Sequence, residues 1–317
     1  MTVKDIFELR KQGRIEEAYE AIRPMYAVHK GHYTTLCMFW TASDILKKRA
    51  QEKRVGEALK IFEALLRMLP TVEDRDHRAH SSVLYDAVML SKETAEFSML
   101  SFLERYGVGN LAEADWQGIT TQQPTPGSQH PVPSVAHQLL TQAFHEIQQQ
   151  PTADNALRIM PLLEEAMRRT PRNKNCQRYM AVIYCIMGEH DKAAAIYRQL
   201  LTRHHDSYLY AELSELTADT GQKAALLCQA IQNQRQEQFR TGYRLALARL
   251  LIGRDNARAA HELQKVVAAR RAQGLATGRE LQSLLAQVAD TQPTTDTEQQ
   301  DFYKRMATKY PITCFTW

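Results

Sequence analysis

The sequence predicts an all-α protein, and three observations carry that expectation. Glycine is scarce, at 13 of 317 residues. Alanine, leucine, glutamine, glutamate and arginine dominate, which favours helix on intrinsic propensity. Alternating Val/Ile/Thr-rich runs that mark strands are nearly absent, while apolar residues recur at the i, i+4 and i+7 spacing of one helical face. At 44% apolar residues a chain of this length buries a substantial core, as two domains or as one long repeat array.

The array is the better account, because one pattern recurs. Gly188, Ala193 and Tyr197 in CIMGEHDKAAAIYRQLL place a turn glycine, then an alanine five later, then a large residue four after that. Gly13, Ala18, Ile22 and Met25 repeat the offsets near the N-terminus. Ala58, Phe62 and Leu65 do so again, followed by Pro70, as do Ala224, Cys228 and Ile231, and Ala259, Leu263 and Val266. The alanine suits a place where a second helix crosses closely, and the larger residue fills the wider gap one turn on. Tyr208 and Tyr243 open the upstream partner helices, each sixteen residues before its alanine. A period near 34 built from two short helices is the signature of a solenoid.

This pattern resembles the tetratricopeptide repeat. NCQRYMAVIYCIMGEHDKAAAIYRQLL is the best copy, with Ala181, Tyr184, Ala193 and Tyr197 in register, and its predecessor ends at Pro171 where the consensus proline belongs. The match covers 174–270 well and 1–70 in a more diverged form. Gln177 stands in place of the consensus aromatic, Arg49 in place of a tyrosine, and Ala18 to Ala58 is 40 residues, longer than one repeat. The resemblance implies a right-handed α-solenoid of helical hairpins with a C-terminal capping helix.

Four segments are expected along the chain. Residues 1–116 read as helices, with HYTTLCMFWTASDILKKRAQEKR as one long helix and 80–107 as a helical pair broken at Gly107. Residues 117–134 carry Pro124, Pro126, Pro131 and Pro133, where helix cannot continue, and read as a linker. A repeat block with its cap occupies 135–290, where Thr277 and Glu280 have capping-box spacing. A helix and an apolar tail, with Ile312, Phe315 and Trp317, close the chain over 291–317. That tail is expected to dock on its own solenoid or on a second copy, making a homo-oligomer.

Candidate chemistry is thin. GVGNLA formally matches a dinucleotide fingerprint, but it comes after a helical stretch, so Gly107 reads as a helix C-cap. His77 and His80 lie one turn apart and read as solvated polar residues at a helix start rather than as metal ligands. Cys37, Cys176, Cys185, Cys228 and Cys314 are odd in number with no CxxC, and read as small apolar residues in a reducing compartment. The charged N-terminus MTVKDIFELRKQGRIEEA is unlike a signal peptide, and no window approaches eighteen apolar residues, so a cytoplasmic location with no membrane partner is expected. No catalytic motif, cofactor or metal is expected.

The sequence supports two readings of function. The resemblance to tetratricopeptide proteins implies a non-catalytic scaffold whose groove binds a protein or peptide partner, and carries its groove positions onto Arg178, Val182, Leu209, Leu213, Arg244 and Ala248. The subgroup that clamps chaperone tails places an Asn where Val182 stands, so that ligand is not expected. The alternative is a nucleic-acid-associated accessory protein. The net charge is only +4, but basic residues cluster at Lys47, Lys48 and Arg49 within 47–54, and at Arg168, Arg169, Arg172 and Lys174 within 168–178. Residues 1–50 are also similar to modules in bacterial proteins of unassigned role, some with RNA-binding β-barrels, although no barrel is visible here.

Overall fold

The computed structural model describes residues 1–118 and 132–311. Most of the expected linker and the apolar tail, with Cys314, lie outside the described residues. Among those described there are sixteen α-helices and no strand element. They form two compact units, Met1–Thr170 and Pro171–Trp317.

The first unit contains α1 (Val3–Lys11), α2 (Ile15–Val28), α3 (His32–Gln51), α4 (Val55–Met68), α5 (Arg78–Glu93), α6 (Met99–Tyr106), α7 (Val135–Gln149) and α8 (Ala153–Arg169). The second contains α9 (Lys174–Ile186), α10 (His190–Leu201), α11 (Ser207–Leu216), α12 (Thr220–Asn233), α13 (Glu237–Leu251), α14 (Asn256–Ala272), α15 (Arg279–Ala286) and α16 (Asp296–Lys309). Within each unit, consecutive helices pack largely as pairs, and pairs stack on their neighbours. Ala18, Ala58, Ala193, Ala224 and Ala259, the residues that define the repeat, are all buried, as are Ile22, Phe62, Tyr197, Cys228 and Leu263 one turn later.

The turns inside the hairpins repeat as well. Gly13, Lys53 and Gly188 hold φ of 75°, 60° and 78°. The residue after each donates its N–H back to the helix, Arg14 to Leu9 O, Arg54 to Arg49 O and Glu189 to Tyr184 O. This is the Schellman closure, which satisfies carbonyls the helix end leaves open. Lys53 adopts a backbone that glycine takes in the other two, so the second hairpin keeps the turn without the residue that advertises it.

Polar pairs tie neighbouring repeats together at the same period. Arg178 bonds Glu212 and Arg10 bonds Asp44, both 34 residues apart. Arg49 bonds Glu16 at 33, Lys174 bonds Asp206 at 32, and Ser207 meets Tyr243 at 36. The repeat is therefore written into the ion pairs as well as the core.

Three expectations need correction. The division falls at 170/171 rather than in the proline-rich segment. The reason is packing: α7 lies on α5 and α6, and Glu146 on α7 accepts the Ser98 hydroxyl and the Met99 and Leu100 N–H groups at the start of α6. Thr277 and Glu280 form no capping box, because α15 starts one residue later on Gly278, and Glu280 pairs with Arg249. The capping box belongs to α16, between Thr295 and Glu298, and α16 is the terminal helix that packs back, onto α12. α16 thus belongs with the repeats of the second unit and is no separate segment.

Gly188 has nothing within 4 Å of where a Cβ would sit. Gly188→Ala therefore costs only the left-handed backbone penalty, about 1 kcal/mol, while Lys53→Gly costs nothing of that kind. Urea unfolding should show the first variant less stable and the second not.

Candidate functional site

The first helices of the hairpins present the faces on which the expected groove would lie. In the second unit the structure splits the six residues expected to line it. Leu209, Leu213 and Ala248 are 0% exposed and belong to the core between repeats, so no partner reaches them. Arg178 and Val182 stay half-buried at the surface. The Arg178 guanidinium grips Glu212, with Nε at 3.0 Å from both carboxylate oxygens, and lies 4.8 Å from the centre of the Tyr208 ring. It links α9 to α11.

Arg244 is the clearest correction. It is 4% exposed and is no rim residue. It donates to Glu262 at 2.6 Å, to the Tyr303 hydroxyl at 3.1 Å and to Glu237 at 2.7 Å. Glu262, fully buried, also accepts from Gln299 and from the Tyr303 hydroxyl. Burial acts against the Arg244 charge, and these acceptors outweigh it and raise its pKa. The network joins α13, α14 and α16. Nothing in the sequence could reveal it, because Arg244 and Tyr303 are 59 residues apart.

In the first unit the structure shows a cleft that the sequence does not announce. His32, Tyr33, Leu36 and Trp40 of α3 face the 73–78 loop across about 590 Å³. Tyr33 and Trp40 are seven residues apart and so share a helix face. Tyr33 is 69% exposed. Trp40 is held by the Arg10 guanidinium, 5.6 Å from its ring, while Arg10 also bonds Asp44. His32 pairs with Glu73 at 2.9 Å across the mouth. The signal lies in the aromatic residues of HYTTLCMFW, whose spacing marks a helix but not which of its faces stays open.

Close by, the histidines expected to be solvated are built into a half-buried cluster. His77 bonds the buried Asp115 at 2.9 Å, and Ser81 donates to the other oxygen of that carboxylate at 2.7 Å. His80 meets the Tyr106 hydroxyl at 2.9 Å and stacks on His77 at 4.7 Å. Burial, then the charge of His77, lowers the His80 pKa. The cluster fastens the segment before residue 119 to α5. Among the described residues no group of three or more side chains could hold a metal ion. Among them, too, no helix is long and apolar enough to cross a membrane.

The basic clusters are largely engaged by acids. Lys48 and Arg49 pair with Glu16, Lys53 with Glu93 and Arg54 with Glu57. Arg168 and Arg169 pair with Glu165, and Arg169 also with Glu113. Lys174 pairs with Asp206, and Arg172 is exposed.

Lys47 reaches the buried Asp86 only at 3.6 Å. Asp86 accepts from Ser43 at 2.9 Å, while its Oδ1 has no hydrogen-bond partner. Burial, against the pull of Lys47 and Ser43 and with the charge of Asp44, pushes this carboxyl up to about 6.

A family model described as a domain of unknown function (DUF7017) matches residues 176–309, which is most of the second unit. Among solved structures, the chain is similar to that of a tetratricopeptide repeat protein from Parabacteroides merdae ATCC 43184. The two are 12% identical over 90% of this chain and 97% of that one, with a TM-score of 0.42. No curated protein matches the chain.

The buried charges set measurable expectations. The native Asp86 holds its proton to a higher pH than the unfolded chain does. It therefore takes stability away as pH rises from about 4 to 6, by up to roughly 3 kcal/mol. Asp86→Asn should remove that slope and be the more stable protein at pH 7, measured by denaturation across pH. Glu262→Gln leaves Arg244 short of its buried counter-charge and should cost about 3 kcal/mol. Tyr303→Phe removes only hydrogen bonds and should cost about 1–2 kcal/mol in the same assay.

Proposed function

We propose that the chain is a non-catalytic helical-repeat scaffold that binds a protein or peptide partner along the surface of its first helices. The observation that carries this is the α3 cleft. An exposed tyrosine and a half-buried tryptophan, pre-oriented by Arg10, stand opposite a charged loop. Tyrosine and tryptophan in such settings supply binding energy out of proportion to their number, because they bury much area at low entropic cost. The Arg178–Tyr208–Glu212 surface of α9 and α11 is a second contact region in keeping with this reading, and of the six groove positions it retains Arg178 and Val182.

The nucleic-acid reading is the weaker of the two. Phosphate contacts would have to displace the carboxylates that already hold Lys48, Arg49, Arg168, Arg169 and Lys174, and the energy gained from the backbone charge would be spent on breaking those pairs.

The test is affinity purification from native-host extract, with the wild-type chain and Tyr33→Ala as baits, in low and high salt. A protein partner retained at high salt by the wild type and lost from Tyr33→Ala supports the proposal. Nucleic acid that is recovered at low salt and released at high salt, with no protein, overturns it.

A further inference from the structure

In the second unit consecutive helices from α9 to α14 pack against one another and are joined by short turns, so they alternate in direction. Every turn that leads from one hairpin to the next therefore lies at the same end of the stack. Two contacts bear this out. Lys174, just after the turn at 170–173, bonds Asp206 in the turn at 202–206, and Gln234 in the turn at 234–236 donates to Ser207. Because α14 runs antiparallel to α13, its last turn reaches this end as well.

Each of these places carries an arginine. Arg172, Arg203 and Arg235 stand in the three turns and Arg271 in the last turn of α14, so the row follows the repeat. All four are exposed, and none has a carboxylate partner among the described residues. The acids at this end are already engaged: Asp206 by Lys174, Glu237 by Arg240 and Arg244, and Glu280, beyond α14, by Arg249. At the opposite end the turns inside the hairpins hold Glu189, Asp219 and Asp255 against one cation, Arg254.

The basic end also holds the exposed large apolar side chains of this unit. Phe239, in the first turn of α13, is 56% exposed, and Leu275, just beyond α14, is 50% exposed. Among the described residues of the unit no other large apolar side chain is as open.

We propose that this end of the second unit binds the surface of a membrane that contains anionic lipids, with the arginines on lipid phosphates and Phe239 and Leu275 entering the headgroup region. Each cation near such a surface adds attraction, and a guanidinium can take a phosphate through two parallel hydrogen bonds. Apolar side chains beside the cations turn attraction into anchorage. A peptide or a partner helix needs a groove that receives its side chains, whereas a row of turns is an outer rim. Single-stranded nucleic acid stacks successive bases on aromatic side chains, and this row has one exposed phenylalanine. No helix among the described residues is long and apolar enough to cross a membrane, so the contact is peripheral. It goes beyond the scaffold reading, since partner binding along α3 and lipid binding at these turns use different residues.

The test is sedimentation of the full chain with vesicles of phosphatidylcholine alone and of phosphatidylcholine mixed with phosphatidylglycerol, in low and high salt. The expected result is binding to the anionic vesicles alone, weakened by salt. Arg203→Glu and Arg235→Glu should each lower the affinity about tenfold. Phe239→Ser/Leu275→Ser should lower it several-fold, and Arg254→Glu, the same change of charge at the opposite end, should leave it within about twofold. Circular dichroism checks that each variant keeps its helices. Equal binding to both kinds of vesicle, or none to the anionic ones, overturns the proposal. So does a loss with Arg254→Glu as large as with Arg203→Glu, which makes net charge the cause rather than this end of the stack. Binding that Phe239→Ser/Leu275→Ser leaves unchanged overturns it in favour of a general attraction to polyanions. Tighter binding to a single-stranded RNA oligonucleotide than to the vesicles, lost with the same arginine variants, overturns it in favour of nucleic acid.

Discussion

Each hairpin of this chain has an apolar face that it cannot bury alone, and every other feature depends on how neighbouring hairpins bury it. The close crossing of helices over a small residue is the recurring solution. Ala18, Ala58, Ala193, Ala224 and Ala259 let the backbones approach, and a larger residue one turn on fills the space that opens beside each crossing. A side chain larger than alanine at these places would separate two helices and also shift the hairpin stacked on them. The same dependence makes the array sensitive at its ends, where a neighbour is missing.

Ion pairs add register to this packing. Bonds such as Arg178–Glu212 and Arg10–Asp44 link equivalent places in successive repeats, so a hairpin that slid by one turn would lose its counter-charge. The half-exposed pairs contribute little stability individually. Arg244 and Glu262 differ, because both are buried and both depend on α16 to complete their hydrogen bonds. α16 fully buries Gln299 and Tyr303 and packs Phe302 and Met306 partly against the same core, so polar and apolar contacts together hold it in place.

The first unit shows how interior polarity collects where hairpins diverge from the pattern. Asp86, Asp115, His77 and His80 all sit near α5, whose successor α6 is short and whose region matches the repeat poorly. The cleft beside Tyr33 lies at the edge of this region. The most exposed aromatic side chain of the described first unit, Tyr33, is found there.

Local spacing is legible in the sequence because it is a local property. Helix type, the hairpin pairs, the Gly13 and Gly188 turns, the helix break at Gly107 and the crossing alanines all depend on residues within about twenty positions of one another. The Lys53 turn is hidden because a lysine adopts the backbone of a glycine there. The site is much less legible. Arg178 keeps a half-buried surface position that its place in the repeat allows, but Arg244, by the same argument, goes to a groove that its burial denies it. His77 and His80 look solvated in the sequence because their partners, Asp115 and Tyr106, are 38 and 26 residues away. By itself the sequence determined which stretches are helical and where the small crossing residues of each hairpin fall, since that depends on side chains one turn apart. Only the tertiary structure decided which charges are neutralised, where the chain divides and which apolar face is left open, because each of those depends on groups that the chain brings together from far apart.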